Sequence, residues 1–246
     1  MTHTPYVQEL MTDITPAPPE EALVAIGDIH GCNTLLQKLL AKIERKMGTK
    51  PYRLVFLGDY VDRGPDSRGV IETLTALALE RPGTVFLRGN HEQAMLDFLA
   101  VGEGAEGWVE WGGEQTLDSY GVKLDFPYDL DKTQRELAAA LPDTHFDFLM
   151  SLPTRFDAGP YVFVHAGVDP SRGLDEQIER DLLWIRDPFF AEGEGKFPDH
   201  IIVHGHTPVK KVDNLAWRIN VDTGAVWTSK LTAVVLTDGK RQFITT

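Results

Sequence analysis

Three times before residue 93 the chain repeats one pattern: a short apolar run, a glycine beside charged groups, then a helical period. "ALVAI" (22–26) leads to "GDIHG" (27–31), "RLVFLGD" (53–59) opens "GDYVDRG" (58–64), and "TVFLRGN" (84–90) runs into "GNHE" (89–92). The runs are short and β-rich. After the first, "LLQKLLAKIERKM" places Leu35, Leu36, Leu39, Leu40 and Ile43 on one helical face. Helical patterns also fill "SRGVIETLTALALE" and "HEQAMLDFLA". Such strand–loop–helix units predict a sheet with parallel pairs and covering helices.

The later chain is strand-rich in "YVFVHAG", "IIVHGHT", "AWRINVDTGA" and "LTAVVLTDGKRQFI", and reads as mostly hairpin-like. Residues 131–152 look helical. The expected architecture is therefore two sheets packed together between helices. Residues 1–20 end in a stiff Pro-rich stretch and read as an arm; residues 21–246 read as one domain. Within it, the Gly/Trp-rich segment 101–121 reads as a cap insertion.

Polar groups collect where the apolar runs end. In open α/β sheets the carboxyl ends of the strands form the ligand crevice. Five such ends would deliver Asp28, His30, Asp59, Asp62, Asn90, His91, His165 and His206 to one edge. Carboxylate, amide oxygen and imidazole suit manganese, iron or zinc. Asp28 and His30, two apart, would point the same way in extended chain and chelate one ion. Asp59 could bridge to a second ion held by Asn90, His165 and His206. Any one Gly-Asp or Gly-His alone is a turn or a helix cap; their joint occurrence in order carries the reading.

The formal net charge of -13 disfavours general binding to nucleic acid or anionic membrane, so a phosphorylated substrate needs locally concentrated positive charge. One cysteine, Cys32, excludes an intrachain disulfide and fits a reducing, cytoplasmic compartment. No run reaches the ~20 apolar residues of a membrane helix, and the first residues lack a secretory pattern.

"GDIHG", "GDYVDRG", "GNHE", "HAG" and "GHTP" together resemble the PPP-type serine/threonine protein phosphatases of the calcineurin-like metallophosphoesterases. The short bacterial and bacteriophage members are most similar, with "VDTGA" (221–225) after the last histidine. The resemblance implies an αββα sandwich of two mixed β-sheets and a dinuclear metal centre. By position, Asp28, His30 and Asp59 would hold the first metal, and Asp59, Asn90, His165 and His206 the second. Manganese is the first expectation, with iron or zinc as alternatives. His91 matches the proton donor, Asp62 the carboxylate that orients it, and Arg63 and Arg186 ("LLWIRDP") the phosphate-binding arginines. The implied reaction is attack on phosphorus by a metal-bridging hydroxide. The expected partner is a phosphoprotein, through phosphoserine or phosphothreonine, or a small phosphomonoester.

Three rivals are weighed. A cysteine phosphatase would need Cys-x5-Arg, but Lys38 stands six residues after Cys32. Symmetrical diadenosine tetraphosphate hydrolases resemble the first motif, yet Asp62, Glu92 and Thr207 follow the protein-phosphatase text. A non-catalytic scaffold would have lost ligands, and none is replaced. His204 departs from the family pattern and reads as structural or as a support for a ligand, with His206 as the ligand. Asp222 reads equally as a turn residue or as a support for a ligand. Trp108 and Trp111 read as a substrate-side wall or as buried packing.

Overall fold

The computed structural model describes residues 21–101, 105–124, 129–237 and 240–246. The expected arm, 1–20, and residues 102–104 of the expected cap lie outside them. The first sheet contains β1 (Ala22–Ile26), β2 (Tyr52–Phe56), β3 (Val85–Phe86), β9 (Thr232–Thr237) and β10 (Lys240–Thr245), in the order β10-β9-β1-β2-β3. β1, β2 and β3 are parallel, as their repeated pattern predicts, and β9 joins β1 antiparallel. The second sheet contains β4 (Arg155–Ala158), β5 (Tyr161–Val164), β6 (Ile201–His204), β7 (Asp213–Asn214) and β8 (Arg218–Asn220), in the order β4-β5-β6-β8-β7.

The hairpin-like reading of the later chain is corrected here. β5, β6 and β8 are mutually parallel, and antiparallel pairing between strands of this later stretch is confined to β4–β5, β7–β8 and β9–β10. Parallel pairing needs a crossover. Between β5 and β6 it is supplied by α8 (Glu179–Trp184) and α9 (Asp187–Glu192), two helices too short to show a helical period in the sequence.

Alternation along β1 builds the layers. Leu23 and Ala25 face the second sheet, among Val55, Leu57, Phe163, Val203 and Ile219. Val24 and Ile26 face the other way, toward α1 (Asn33–Met47) and α2 (Ser67–Glu80), where Leu36, Leu39, Ile43, Val70, Ile71 and Leu74 are buried. Leu35 and Leu40 of the expected apolar face are only partly buried beside them. On the outer face of the second sheet, Val162, Val164 and Ile202 meet Leu182 and Phe189. The result is the expected αββα sandwich of two mixed sheets. α3 (Asn90–Val101) follows β3 directly. The helical stretch predicted over 131–152 is two helices, α6 (Leu130–Ala140) and α7 (Asp143–Ser151), divided at Leu141 and Pro142 because proline cannot continue a helix begun before it.

The strand ends meet tightly. A Cβ on Gly89 would lie 2.2 Å from Asp59 Oδ1, so only glycine lets the two loops approach so closely. Glu92, wholly buried, fastens the same place. Its carboxylate accepts N–H groups from Asp59 (2.9 Å), Tyr60 (2.7 Å), Val61 (3.2 Å) and Gly89 (2.9 Å). Two strand-end loops are thereby held to one side chain.

Glu92→Leu, similar in size, leaves those donors without an acceptor. Each orphaned buried donor costs ~1–3 kcal/mol. The melting temperature should fall by roughly 4 °C or more, since ~1 kcal/mol moves a domain this long by about 2–4 °C. A variant melting within a degree of the parent would show that the staple carries no stability.

Candidate metal centre

Asp59 sits where the two sheets meet. Its Oδ2 lies 3.4 Å from His30 Nε2 and its Oδ1 lies 3.3 Å from His165 Nε2. Two groups of potential ligands share this carboxylate: His30, Asp59 and His91, and Asp59, His165 and His206, with the donor atoms of each group within 4.8 Å of one another. Asn90 joins the second, its Oδ1 2.9 Å from His165 Nε2. His206 Nδ1 is 3.2 Å from the same nitrogen. Five side chains from both sheets thus surround one carboxylate.

Backbone carbonyls set the tautomers. His30 Nδ1 lies 2.9 Å from Val61 O, and His165 Nδ1 2.8 Å from Leu57 O. A carbonyl can only accept, so Nδ1 carries the proton and each Nε2 presents a lone pair to Asp59. Burial lowers the His165 pKa and pushes that of His30 down to about 3, keeping both rings neutral. The oxygens of Asn90 and Asp59 therefore face an Nε2 without a proton. Acceptors crowded on acceptors are unfavourable alone and suit a cation. A backbone-anchored Nδ1 is also the usual support of a metal-binding imidazole.

The carboxyl groups agree. Burial, followed by the charges of Asp222 and Asp59, raises the Asp28 pKa well above the ordinary carboxylate range. Burial raises Asp222 to about 6. Burial and Asp59 raise Glu92 to about 7, against its backbone donors. Negative charge is gathered here beyond what the enclosed positive groups balance, which two divalent cations would relieve. The residues present fit a dinuclear centre.

Asp28 is placed differently from the sequence expectation. The chain from Asp28 to His30 is not extended, because β1 stops at Ile26 and His30 takes a φ of 46°. The Asp28 carboxylate accepts the His206 N–H, at 3.0 Å through Oδ2. His30 Nε2 is met by Arg63 Nη1, which donates at 2.6 Å. Of the six non-glycine residues with positive φ among the described ones, five belong to the site: His30, Asp59, Asp62, Arg63 and His206. Such backbone costs free energy and is held where surrounding contacts over-determine it.

His91 Nδ1 donates to Asp62 Oδ2 at 2.6 Å. Asp62 is fully buried, and Trp108 Nε1 (2.9 Å) and the Thr116 hydroxyl (2.6 Å) also donate to it. Burial alone would lower the His91 pKa; Asp59 and the hydrogen bond to Asp62 outweigh it and raise it. Arg186 donates to the Thr207 hydroxyl at 3.2 Å, beside His206, and its charge helps lower the His165 and His206 pKa values. Asp28, His30, Asp59, Asp62, Arg63, Asn90, His91, His165 and His206 thus form one connected group, to which Arg186 is tied through Thr207.

Several side chains resolve the open alternatives. His204 is buried against Phe189 and Phe190 and donates through Nδ1 to Gly205 O, contacts that suit a structural role. Asp222 accepts the Gly224 N–H in a turn and makes no hydrogen bond to a histidine. Trp108 is buried and is no substrate wall. Cys32 is a half-buried thiol at the start of α1, its pKa raised by burial. Glu92, Thr116 and Trp108 hold the site, yet the sequence reading gave them no such role. Only the text "GNHE" could have flagged Glu92. Among the described residues, no helix is long and apolar enough to cross a membrane.

Several known proteins are similar to this chain along most of its length. A relative from Anoxybacillus flavithermus, named bis(5'-nucleosyl)-tetraphosphatase PrpE [asymmetrical], is 30% identical over 230 residues, covering 85% of this chain and 88% of its own. The serine/threonine-protein phosphatase 1 of Salmonella typhimurium is 31% identical over 214 residues, covering 84% and 88%. Among solved structures, the cold-active protein-tyrosine phosphatase of a psychrophilic Shewanella shares the fold at a TM-score of 0.56 and 19% identity, over 94% of this chain and 83% of its own. Residues 22–234 match the calcineurin-like phosphoesterase family, and the chain belongs to it.

Proposed function

We propose that this chain hydrolyses phosphoric esters, with His91 protonating the leaving group and Arg63 and Arg186 holding the phosphate. The arrangement around Asp59 supports this most: one carboxylate between two groups of acceptors, beside an ionisable His–Asp pair. Asp28, His30 and Asp59 would hold one divalent ion, and Asp59, Asn90, His165 and His206 the other, manganese being the first expectation. Bound there, the pair would supply the charge that makes water a competent nucleophile near neutral pH.

The chain's own groups do the rest. Asp62, pinned by Trp108 and Thr116, fixes the His91 ring and favours its charged form. With Nδ1 committed to Asp62, the proton on Nε2 is free to pass to the departing ester oxygen as its bond to phosphorus breaks. The arginines face the phosphate oxygens with charge-assisted donors. A carrier for the leaving proton matters most for alkoxides, which supports phosphoserine and phosphothreonine of proteins as substrates. A second reading is favoured by the PrpE relatives: cleavage of a bis-nucleosyl tetraphosphate, asymmetrical as in their name rather than symmetrical.

Stripped protein reconstituted with manganese should turn over phosphopeptides or dinucleoside tetraphosphate; absence of turnover on both, at saturating metal, would overturn the hydrolase reading. His91→Asn should retain two bound ions by elemental analysis. It should lose ~10²–10⁴-fold in kcat on alkyl phosphates and less on phenolic esters. Equal losses on both would remove His91 as the acid. Because its pKa is raised, His91 should stay protonated where an ordinary imidazole has begun to deprotonate. Activity on alkyl esters should therefore decline as pH rises through that raised value, and His91→Asn should abolish this limb.

A further inference from the structure

The hydrolytic centre is bordered by aromatic surface that the chemistry does not use. All five tryptophans of the chain lie among the described residues, and three are exposed: Trp111 at 45%, Trp184 at 38% and Trp227 at 62%. Tryptophan is normally well buried, so three exposed rings near one another call for a role. All three border the site. Trp184 packs edge-on to His206, with ring centroids 6.3 Å apart, and Trp111 packs on Trp184 at 5.3 Å. The Arg63 guanidinium lies 5.4 Å from the Trp227 ring centroid.

Backbone structure holds these rings in place. Trp111 occupies a widened π-helical turn, Val109–Gly113, in which Gly112 has φ 114°. A Cβ on Gly112 would lie 2.6 Å from the Arg63 side chain, so glycine is required there. Arg63 in turn donates its backbone N–H to Gly112 O at 3.0 Å and its Nε–H to Trp111 O at 3.2 Å. Trp184 ends α8, two residues before Arg186. Arg63 thus lies against Trp227 and the Trp111 backbone, and Arg186 follows Trp184 by two residues.

We infer that Trp111, Trp184 and Trp227 are the specificity-determining surface of the site, and that they seat the nucleobase of a nucleoside polyphosphate whose phosphates lie on Arg63 and Arg186. The inference rests on the hydrolase reading and decides between its two substrate classes. Aromatic rings next to guanidinium groups match a ligand that carries a planar ring and anionic charge in one small molecule. Every base has a π-face, so stacking on tryptophan accepts any of them. A phosphoserine has no ring, and on a phosphopeptide one would depend on whichever side chain happened to follow.

The test uses the full chain loaded with manganese. kcat/KM is measured on diadenosine tetraphosphate and on glycerol phosphate, which has no ring, for the parent and for Trp111→Ala, Trp184→Ala and Trp227→Ala. The ratio of the two specificity constants should fall by about fivefold to a hundredfold in at least one variant, the range expected for losing one stacked base. The loss should lie mainly in KM, and the corresponding Phe variant should recover much of it. In the parent, diadenosine tetraphosphate should quench tryptophan fluorescence more than inorganic phosphate does.

Ratios within twofold in all three variants, or parallel losses on both substrates, would overturn the inference. So would a parent that cleaves glycerol phosphate or a phosphopeptide but not the dinucleotide; that outcome leaves the hydrolase reading intact. A parent inert on every ester sinks the hydrolase reading. Fluorescence then judges the rim: quenching by the dinucleotide alone supports it, and none overturns it.

Discussion

Asp59 is the constraint on which the rest depends. It is buried, it has a positive φ, and its two oxygens face imidazoles from different sheets. Nothing in a solvated loop would hold it there. Parallel strands bring β1, β2 and β3 to one edge, and the second sheet brings His165 and His206 to the same edge from the other side. Glu92 then draws the two loops of the first sheet together through four backbone donors. The sandwich supplies proximity, and the staple supplies ångström-scale register.

A second network ties the helical segment after α3 to His91. Asp62 receives hydrogen bonds from His91, Trp108 and Thr116, and its own N–H donates to Thr116 and Ser67. Trp108 stacks on Phe98, so the carboxylate that orients His91 is anchored to packed aromatic core. A buried carboxylate is costly unless its lone pairs are satisfied. Here the donors satisfy it while leaving it an acceptor for the imidazole. Polar networks of this kind are high-stakes, because one unsatisfied member undoes the arrangement.

Much of this was legible in the sequence. The strand–glycine–charge repeat gave the parallel core of the first sheet, and the five strand ends gave the residues that meet. What stayed hidden was three-dimensional in origin. The parallel pairing of β5 with β6 depends on a crossover through α8 and α9, helices of six residues each with no readable period. The two-residue spacing of Asp28 and His30 suggests extended chain, but the strand ends two residues before Asp28, whose carboxylate is held by the His206 backbone N–H. Trp184 stands two residues from Arg186 in sequence, but Trp111 and Trp227 come from segments far from Arg63, and nothing local marks them as its neighbours.

The positions that discriminate between family branches in the sequence turn out to do inward work. Asp62 orients His91, Glu92 fastens the loops, and Thr207 accepts a hydrogen bond from Arg186. Each acts on another residue of the site, and these contacts build the machinery for cleaving a phosphate ester whatever the leaving group carries. Sharing such residues with protein phosphatases is therefore a statement about common chemistry. Substrate choice has to be exercised farther out, where the leaving group lies. In this chain the outer surface next to the site is aromatic, built on a strained turn against Arg63 and on a helix end two residues before Arg186.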